Sequence, residues 1–188
     1  MRYLSILIFL FCTSCVAYYG TGEHSFRVKN PKTFKYNKDY YNKFRVGLID
    51  TNCIYVFTYS YSDYNGRQEA EKGSNENFIR FFGGGQVLFF YNEKKEPAEI
   101  VNNRNEGIPG YFIAKGTKLK VDRFEIINGG QTGKVYGRIL KNGDLLLFKQ
   151  RPETYFGLFW LLEKADGSSY SVWKKTSIES LINYRPDW

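Results

Sequence analysis

Residues 53–61 read Cys53-Ile54-Tyr55-Val56-Phe57-Thr58-Tyr59-Ser60-Tyr61, a run that alternates with a period of two. Successive side chains of an extended chain point to opposite faces. Cys53, Tyr55, Phe57, Tyr59 and Tyr61 therefore share one face, and Ile54, Val56, Thr58 and Ser60 share the other. Aromatic and β-branched residues suit a pleated, half-buried surface, so the run predicts a strand.

Downstream of this strand the same grammar repeats. Ser62-Asp63-Tyr64-Asn65-Gly66 is a turn, followed by a polar loop to Asn75. Residues 77–82 and 86–92 form a hairpin across Gly83-Gly84-Gly85, and a polar excursion runs over 93–109. Residues 110–114 lead through Lys115-Gly116 into 117–127, where Leu119 and Val121 face inward while Lys118, Lys120 and Asp122 face water. Residues 134–140 and 144–150 pair across Asn142-Gly143, a dipeptide suited to a two-residue hairpin turn. Residues 157–164 and 169–175 close the β region across Asp166-Gly167. The helix signal lies at the end of the chain. There Thr176 and Glu179 have capping-box spacing, Ile178, Leu181 and Ile182 share a face, and Pro186 follows.

The pattern therefore predicts an all-β fold of eight to ten antiparallel strands, mostly joined to their sequence neighbours, with a short C-terminal helix. Exposed sheet edges invite association, and closing the sheet removes them. An up-and-down barrel over residues 47–188 is the expected architecture, with a two-sheet β-sandwich as the alternative.

Upstream, residues 1–15 have the layout of an export signal. Arg2 supplies the positive start, Leu4 to Phe11 is apolar except for Ser5, and the small residues Thr13-Ser14 precede Cys15. The run is too short to span a bilayer as a helix. It resembles a bacterial lipoprotein signal of the relaxed kind found in Bacteroidetes-type bacteria, with Cys12 standing where Leu is usual. The resemblance implies removal of residues 1–14 and acylation of Cys15, which would anchor the protein to a membrane through its acyl chains. Residues 15–46 lack apolar periodicity and read as a tether and domain entry. No acidic cluster follows Cys15, which points to an outer-membrane anchor facing the periplasm.

A second resemblance covers part of the domain. Phe81-Phe82-x-x-Gly85-x-Val87-x-Phe89, Gly110-Tyr111-Phe112, Gly116-x-Lys118-Leu119-x-Val121, Gly137-x-Ile139 and Gly143-Asp144-x-Leu146 look like the small bacterial lipocalin-like lipoprotein domains. This implies a barrel and a binding role.

Composition narrows the function classes. Removing the leader from 188 residues leaves 174, one domain's worth, and lowers the formal charge from +8 to +7 because Arg2 leaves with it. The basic residues are scattered along a chain expected to be exported, so nucleic acid is not the expected partner; the excess reads either as an ordinary soluble surface with one sign in excess or as attraction to anionic envelope surfaces. Of the three cysteines, Cys12 is removed and Cys15 acylated, which leaves Cys53 as a buried small hydrophobe with no disulfide partner.

Catalytic chemistry finds few groups. His24 is the single histidine and lies in the tether, so a histidine-activated nucleophile on the barrel is excluded, and no metal ligand set or cofactor is expected. Residues 129–134 depart from a nucleotide-binding loop at Asn128 and Val135 and read as a turn before a strand. Glu153 and Glu163 flank the aromatic run 155–160, leaving a glycan-active hydrolase as a remote alternative. Aromatics make up 19% of the chain. Tyr-rich strand faces can line a barrel cavity, which makes Tyr55, Phe57, Tyr59, Phe89 and Tyr91 the ligand-binding candidates. The expected function is a non-enzymatic envelope lipoprotein that binds a small apolar or amphipathic ligand. The alternative is an interaction or scaffolding module for an envelope protein at the membrane surface.

Overall fold

The computed structural model describes residues 18–22, 25–30, 33–34, 49–64, 67–73, 76–91, 96–103, 105–126, 130–148, 169–184, 186 and 188. Among the described residues, eleven strands and one short helix follow in chain order. They are β1 (Tyr18–Gly22), β2 (Ser25–Val28), β3 (Ile54–Tyr64), β4 (Arg67–Lys72), β5 (Phe78–Phe81), β6 (Gln86–Phe90), α1 (Pro97–Ile100), β7 (Ile108–Lys115), β8 (Lys118–Glu125), β9 (Gln131–Ile139), β10 (Leu145–Phe148) and β11 (Tyr170–Thr176).

Strands β3 and β5–β11 pair antiparallel in sequence order, and β11 pairs back onto β3. The sheet is thus a closed eight-stranded up-and-down barrel, not a sandwich. One end, the turn end, carries the tight connections at 82–85, 116–117 and 141–144. At the last of these Gly143 adopts φ 88°, a left-handed conformation that glycine takes without steric cost. The other, open end carries the longer crossings at 91–107 and 126–130.

Register assigns the faces. Tyr55 pairs with Ile79, Ile79 with Phe89 and Phe81 with Val87. Across the barrel, Phe112 pairs with Val121, Val121 with Val135, Leu145 with Ile139 and Trp173 with Phe57. These residues share the inner face, and most are fully buried. A barrel of eight strands is just wide enough for its own side chains to fill. Here Phe81 plugs the interior beside the turn end, edge-on to both Tyr55 at 5.4 Å and Phe112 at 4.9 Å.

The outer face over β3, β5 and β6 is buried too. Ile54, Phe78, Leu88 and Phe90 form a second apolar layer with Ile100 and Val101, against which Ile178, Leu181 and Tyr184 pack. The Phe78 and Phe90 rings stack at 4.3 Å. The excursion over 93–109 is therefore not purely polar: it contains α1 and brings Ile100 and Val101 down as a cover.

Several sequence expectations need correction. The C-terminal helix does not form: residues 177–184 make one turn at Glu179-Ser180 and carry no regular secondary structure beyond it. Thr176, the expected cap, is instead the last residue of β11, opposite Ile54, and its hydroxyl donates to Lys174 O. One helical turn does not offset its nucleation cost, and Asn102 offers the backbone other partners. Its Oδ1 accepts from Ile182 N at 2.9 Å and its amide donates to Ser180 O at 2.7 Å.

The described residues among 18–34 are not a free tether. β1 and β2 form a hairpin that docks on the barrel, with Ser25, Arg27, Val28 and Phe34 buried. The Arg27 guanidinium donates to Gly107 O at 2.8 Å and Glu106 O at 3.0 Å, and lies 4.8 Å from the Trp188 ring centroid. The polar stretch after Gly66 is strand β4, paired with the far half of β3. Asp122, expected to face water, is fully buried with Lys134 as its ion partner. The expected strand at 157–164, with Asp166-Gly167, lies outside the described residues.

Candidate functional site

The inner face changes character at the open end. On β8 the alternation Leu119-Val121-Arg123-Glu125 carries two ionisable side chains into the barrel's inner parity. Arg123 Nη1 donates to Tyr91 Oη at 2.8 Å, and Arg123 Nη2 donates to Glu125 Oε1 at 3.1 Å. Tyr91 stacks on Phe89 at 6.1 Å with ring planes 10° apart, and the guanidinium lies 5.5 Å from the Phe89 centroid. On the neighbouring strand, Gly133 stands opposite Arg123, and a Cβ there would collide with the Glu125 carboxylate. Glycine at this position therefore makes the room that Glu125 occupies.

Burial pushes the Tyr91 hydroxyl above the usual phenol range, against the pull of the adjacent guanidinium. Burial alone would pull Arg123 down, but Tyr91 and Glu125 outweigh it and hold the guanidinium above its ordinary value. The cluster thus keeps a charged donor and a neutral hydroxyl side by side.

Beside this cluster a pocket of about 270 Å³ opens at the rim, walled by Phe26, Ile108, Phe124 and Ile126, with Tyr91, Arg123 and Glu125 at its polar end. Phe26 comes from the docked hairpin, so β2 completes the wall. The geometry suits a small molecule with an apolar body and one polar end. The pocket's volume excludes a long chain threaded through the barrel, which Tyr55, Phe81 and Phe112 fill towards the turn end.

The five sequence candidates separate. Phe89 and Tyr91 belong to the cluster. Tyr55 is buried towards the turn end, where its hydroxyl accepts from Asp50 N at 3.1 Å and burial pushes its pKa well above the phenol range. Phe57 is half-buried against Trp173 at 5.2 Å. Tyr59 is 40% exposed and leans edge-on to Tyr170 at 6.3 Å. A bulge in the β3–β11 pairing explains the split: Trp173 pairs with Phe57 and Val172 with Tyr59, so Thr58 is the extra residue. A bulge shifts the facing of the residues beyond it. Tyr59 consequently turns outward and Ser60, buried, turns inward. Arg123 and Glu125 were missed although the inward parity of Leu119 and Val121 marks them.

A second, larger concavity of about 510 Å³ lies on the outer wall between β3, β11 and α1. Val56, Pro97, Ala98 and Ile178 make its apolar side, and Lys72 and Lys174 stand at its rim. Its charged groups are exposed and dispersed, in contrast to the converging cluster of the open end.

Cys53 is buried and its thiol lies 3.6 Å from Asp50 O, with burial pushing its pKa up to about 11. Such a thiol is inert. Among the described residues no three His, Cys, Asp or Glu side chains converge as for a metal, and no helix is long and apolar enough to cross a membrane. Cys15, His24, Glu153, Glu163 and the run 155–160 lie outside the described residues. Comparison with protein-family models, curated proteins and solved structures finds nothing that matches this chain.

Proposed function

We propose that this chain is a non-enzymatic, lipid-anchored protein of the bacterial cell envelope, held at the outer membrane and facing the periplasm. Its barrel takes a small amphipathic ligand in the open-end pocket. One observation carries the reading: Tyr91, Arg123 and Glu125 converge, half-buried, at the mouth of a mostly apolar interior. Polar groups are costly to desolvate, and a cluster of them beside an open apolar pocket has the makings of a binding site. The ligand's apolar body would lie against Phe26, Ile108 and Phe124. Its polar end would meet the Tyr91 hydroxyl and the Arg123 fork.

Displacement of N-phenyl-1-naphthylamine fluorescence by hexanol and by hexanoate tests this. A hydrogen bond to a charged group contributes about 1.5–3 kcal/mol, so Arg123→Met should weaken both competitors by about 10- to 100-fold. Tyr91→Phe should weaken them by about 2- to 10-fold. Probe and competitor binding that is unsaturable in the wild type, or unchanged in both variants with native circular dichroism, refutes the site.

The interaction-module reading rests on the outer groove, where an apolar wall beside Lys72 and Lys174 suits an acidic-apolar segment of an envelope protein. Crosslinking from membranes would have to recover one partner repeatedly, and recovery would have to fall with Lys72→Glu and Lys174→Glu.

A further inference from the structure

The first described residue is Tyr18, whose ring meets Phe26 and Phe124 edge-on, each at 5.6 Å. Those two rings also wall the open-end pocket. Gly130 packs beneath them so closely that a Cβ there would stand 2.8 Å from Phe124 Cζ and 3.0 Å from Tyr18 Cδ1. Tyr18 is therefore fixed at the pocket rim.

Cys15 lies three residues upstream of Tyr18. Three residues of fully extended chain span at most about 11 Å, so an acyl group on Cys15 cannot leave the neighbourhood of that rim. Two apolar side chains are exposed alongside: Ile126, which lines the pocket and is 45% exposed, and Tyr19, 52% exposed. Tyrosine and aliphatic side chains are favoured at the headgroup level of a bilayer, where an apolar body and a polar tip are both accommodated.

We infer that the open end of the barrel rests on the lipid surface, with the pocket mouth at the headgroups and the Asn142-Gly143 turn pointing away. The partner of this rim is the bilayer interface itself. The inference rests on the lipid-anchored reading above and adds the orientation. Its consequence is that ligand exchanges with the membrane directly. The turn end is held off the surface by the length of a barrel strand, about 18 Å along the axis for an eight-residue strand at the usual tilt.

The test uses the full chain, expressed in a bacterium with its leader and reconstituted into vesicles of phosphatidylethanolamine and phosphatidylglycerol with brominated acyl chains. Mass spectrometry of the N-terminal peptide first reads the state of Cys15. An environment-sensitive fluorophore is then placed at Ile126→Cys, at Gln131→Cys (exposed at the same end) or at Asn142→Cys; Cys53, 1% exposed, stays unlabelled. Quenching at 126 and 131 is expected to exceed that at 142 by at least threefold. Equal quenching at both ends, or stronger quenching at 142, with Cys15 acylated overturns the orientation and leaves the anchor standing. An unmodified Cys15 overturns both.

Discussion

Replacing Arg80 with alanine should release the outer layer from the barrel. Arg80 sits on β5 with 1% exposure, pointing away from the interior. Its Nη1 donates to Val101 O at 2.7 Å and to Asn102 Oδ1 at 3.1 Å, and its Nη2 donates to Ile182 O. The guanidinium lies between the rings of Phe82, at 4.6 Å, and Tyr184, at 4.9 Å. No carboxylate faces it among the described residues, Nε is buried without a partner, and burial pulls its pKa below the usual guanidinium value. Three bonds from a charged donor contribute roughly 1.5–3 kcal/mol each, against a desolvation cost of several kcal/mol for the cation.

Truncation leaves the Val101 and Ile182 carbonyls without their donor and opens a void, so the expected loss is about 3–5 kcal/mol. For a domain of this size that corresponds to a Tm lower by roughly 6–20 °C. Arg80→Met keeps the apolar stem and should lose about 1–3 kcal/mol. Urea unfolding followed by circular dichroism measures the total, and hydrogen exchange locates it: residues 97–102 and 178–184 should lose protection before β7–β9 do. Both variants falling within about 0.5 kcal/mol of wild type would refute the reasoning, because desolvation would then cancel the bonds entirely.

Three further outcomes follow from the same geometry. The Cys53 thiol, raised by burial from 9.0 to about 11, contributes stability that is complete below about pH 9 and is lost as pH rises through 11. Cys53→Ala should flatten that alkaline limb in pH-dependent urea titrations, and an unchanged limb counts against a buried neutral thiol. Asp50 is lowered chiefly by its hydrogen bond to Lys175, whose Nζ lies 2.6 Å from Oδ2, so its contribution is present above the ordinary carboxylate range and fades as pH falls through its depressed value. Asp50→Asn should remove that acid dependence at low salt and make little difference at 1 M salt, where exposed pairs are screened. Gly133→Ala drives a methyl into the Glu125 carboxylate and should cost about 1–3 kcal/mol, with hexanol affinity in the open-end pocket altered; wild-type stability would show that Glu125 swings freely away.

Much of the barrel was legible because it rests on local rules. The 86–90 and 145–148 strands, the Asn142-Gly143 turn and the inward parity of Leu119 and Val121 all follow from period-two alternation and turn chemistry. Of the five candidate aromatics, Tyr91 lines the pocket and Phe89 stacks against it, because the two keep one parity along β6 and the residue just beyond it. Tyr59 departs from it because the bulge at Thr58 depends on how β11 pairs across the closure, a contact far away in sequence. The C-terminal segment misled for a related reason. Ile178 and Leu181 do bury an apolar face as a helix would, but Asn102 and Arg80 satisfy the backbone of Ile182 instead, and no local pattern shows them nearby.

Local chemistry dictates the strands and their hairpins, because side-chain alternation and turn glycines act within a few residues. Barrel closure, the burial of both faces of β5 and β6, and the meeting of Tyr91, Arg123 and Glu125 beneath Phe26 come from contacts between residues tens of positions apart. A charged residue at inward parity can be read from the chain; whether it meets a partner, a void or solvent is settled when the sheet closes and the hairpin docks across its rim.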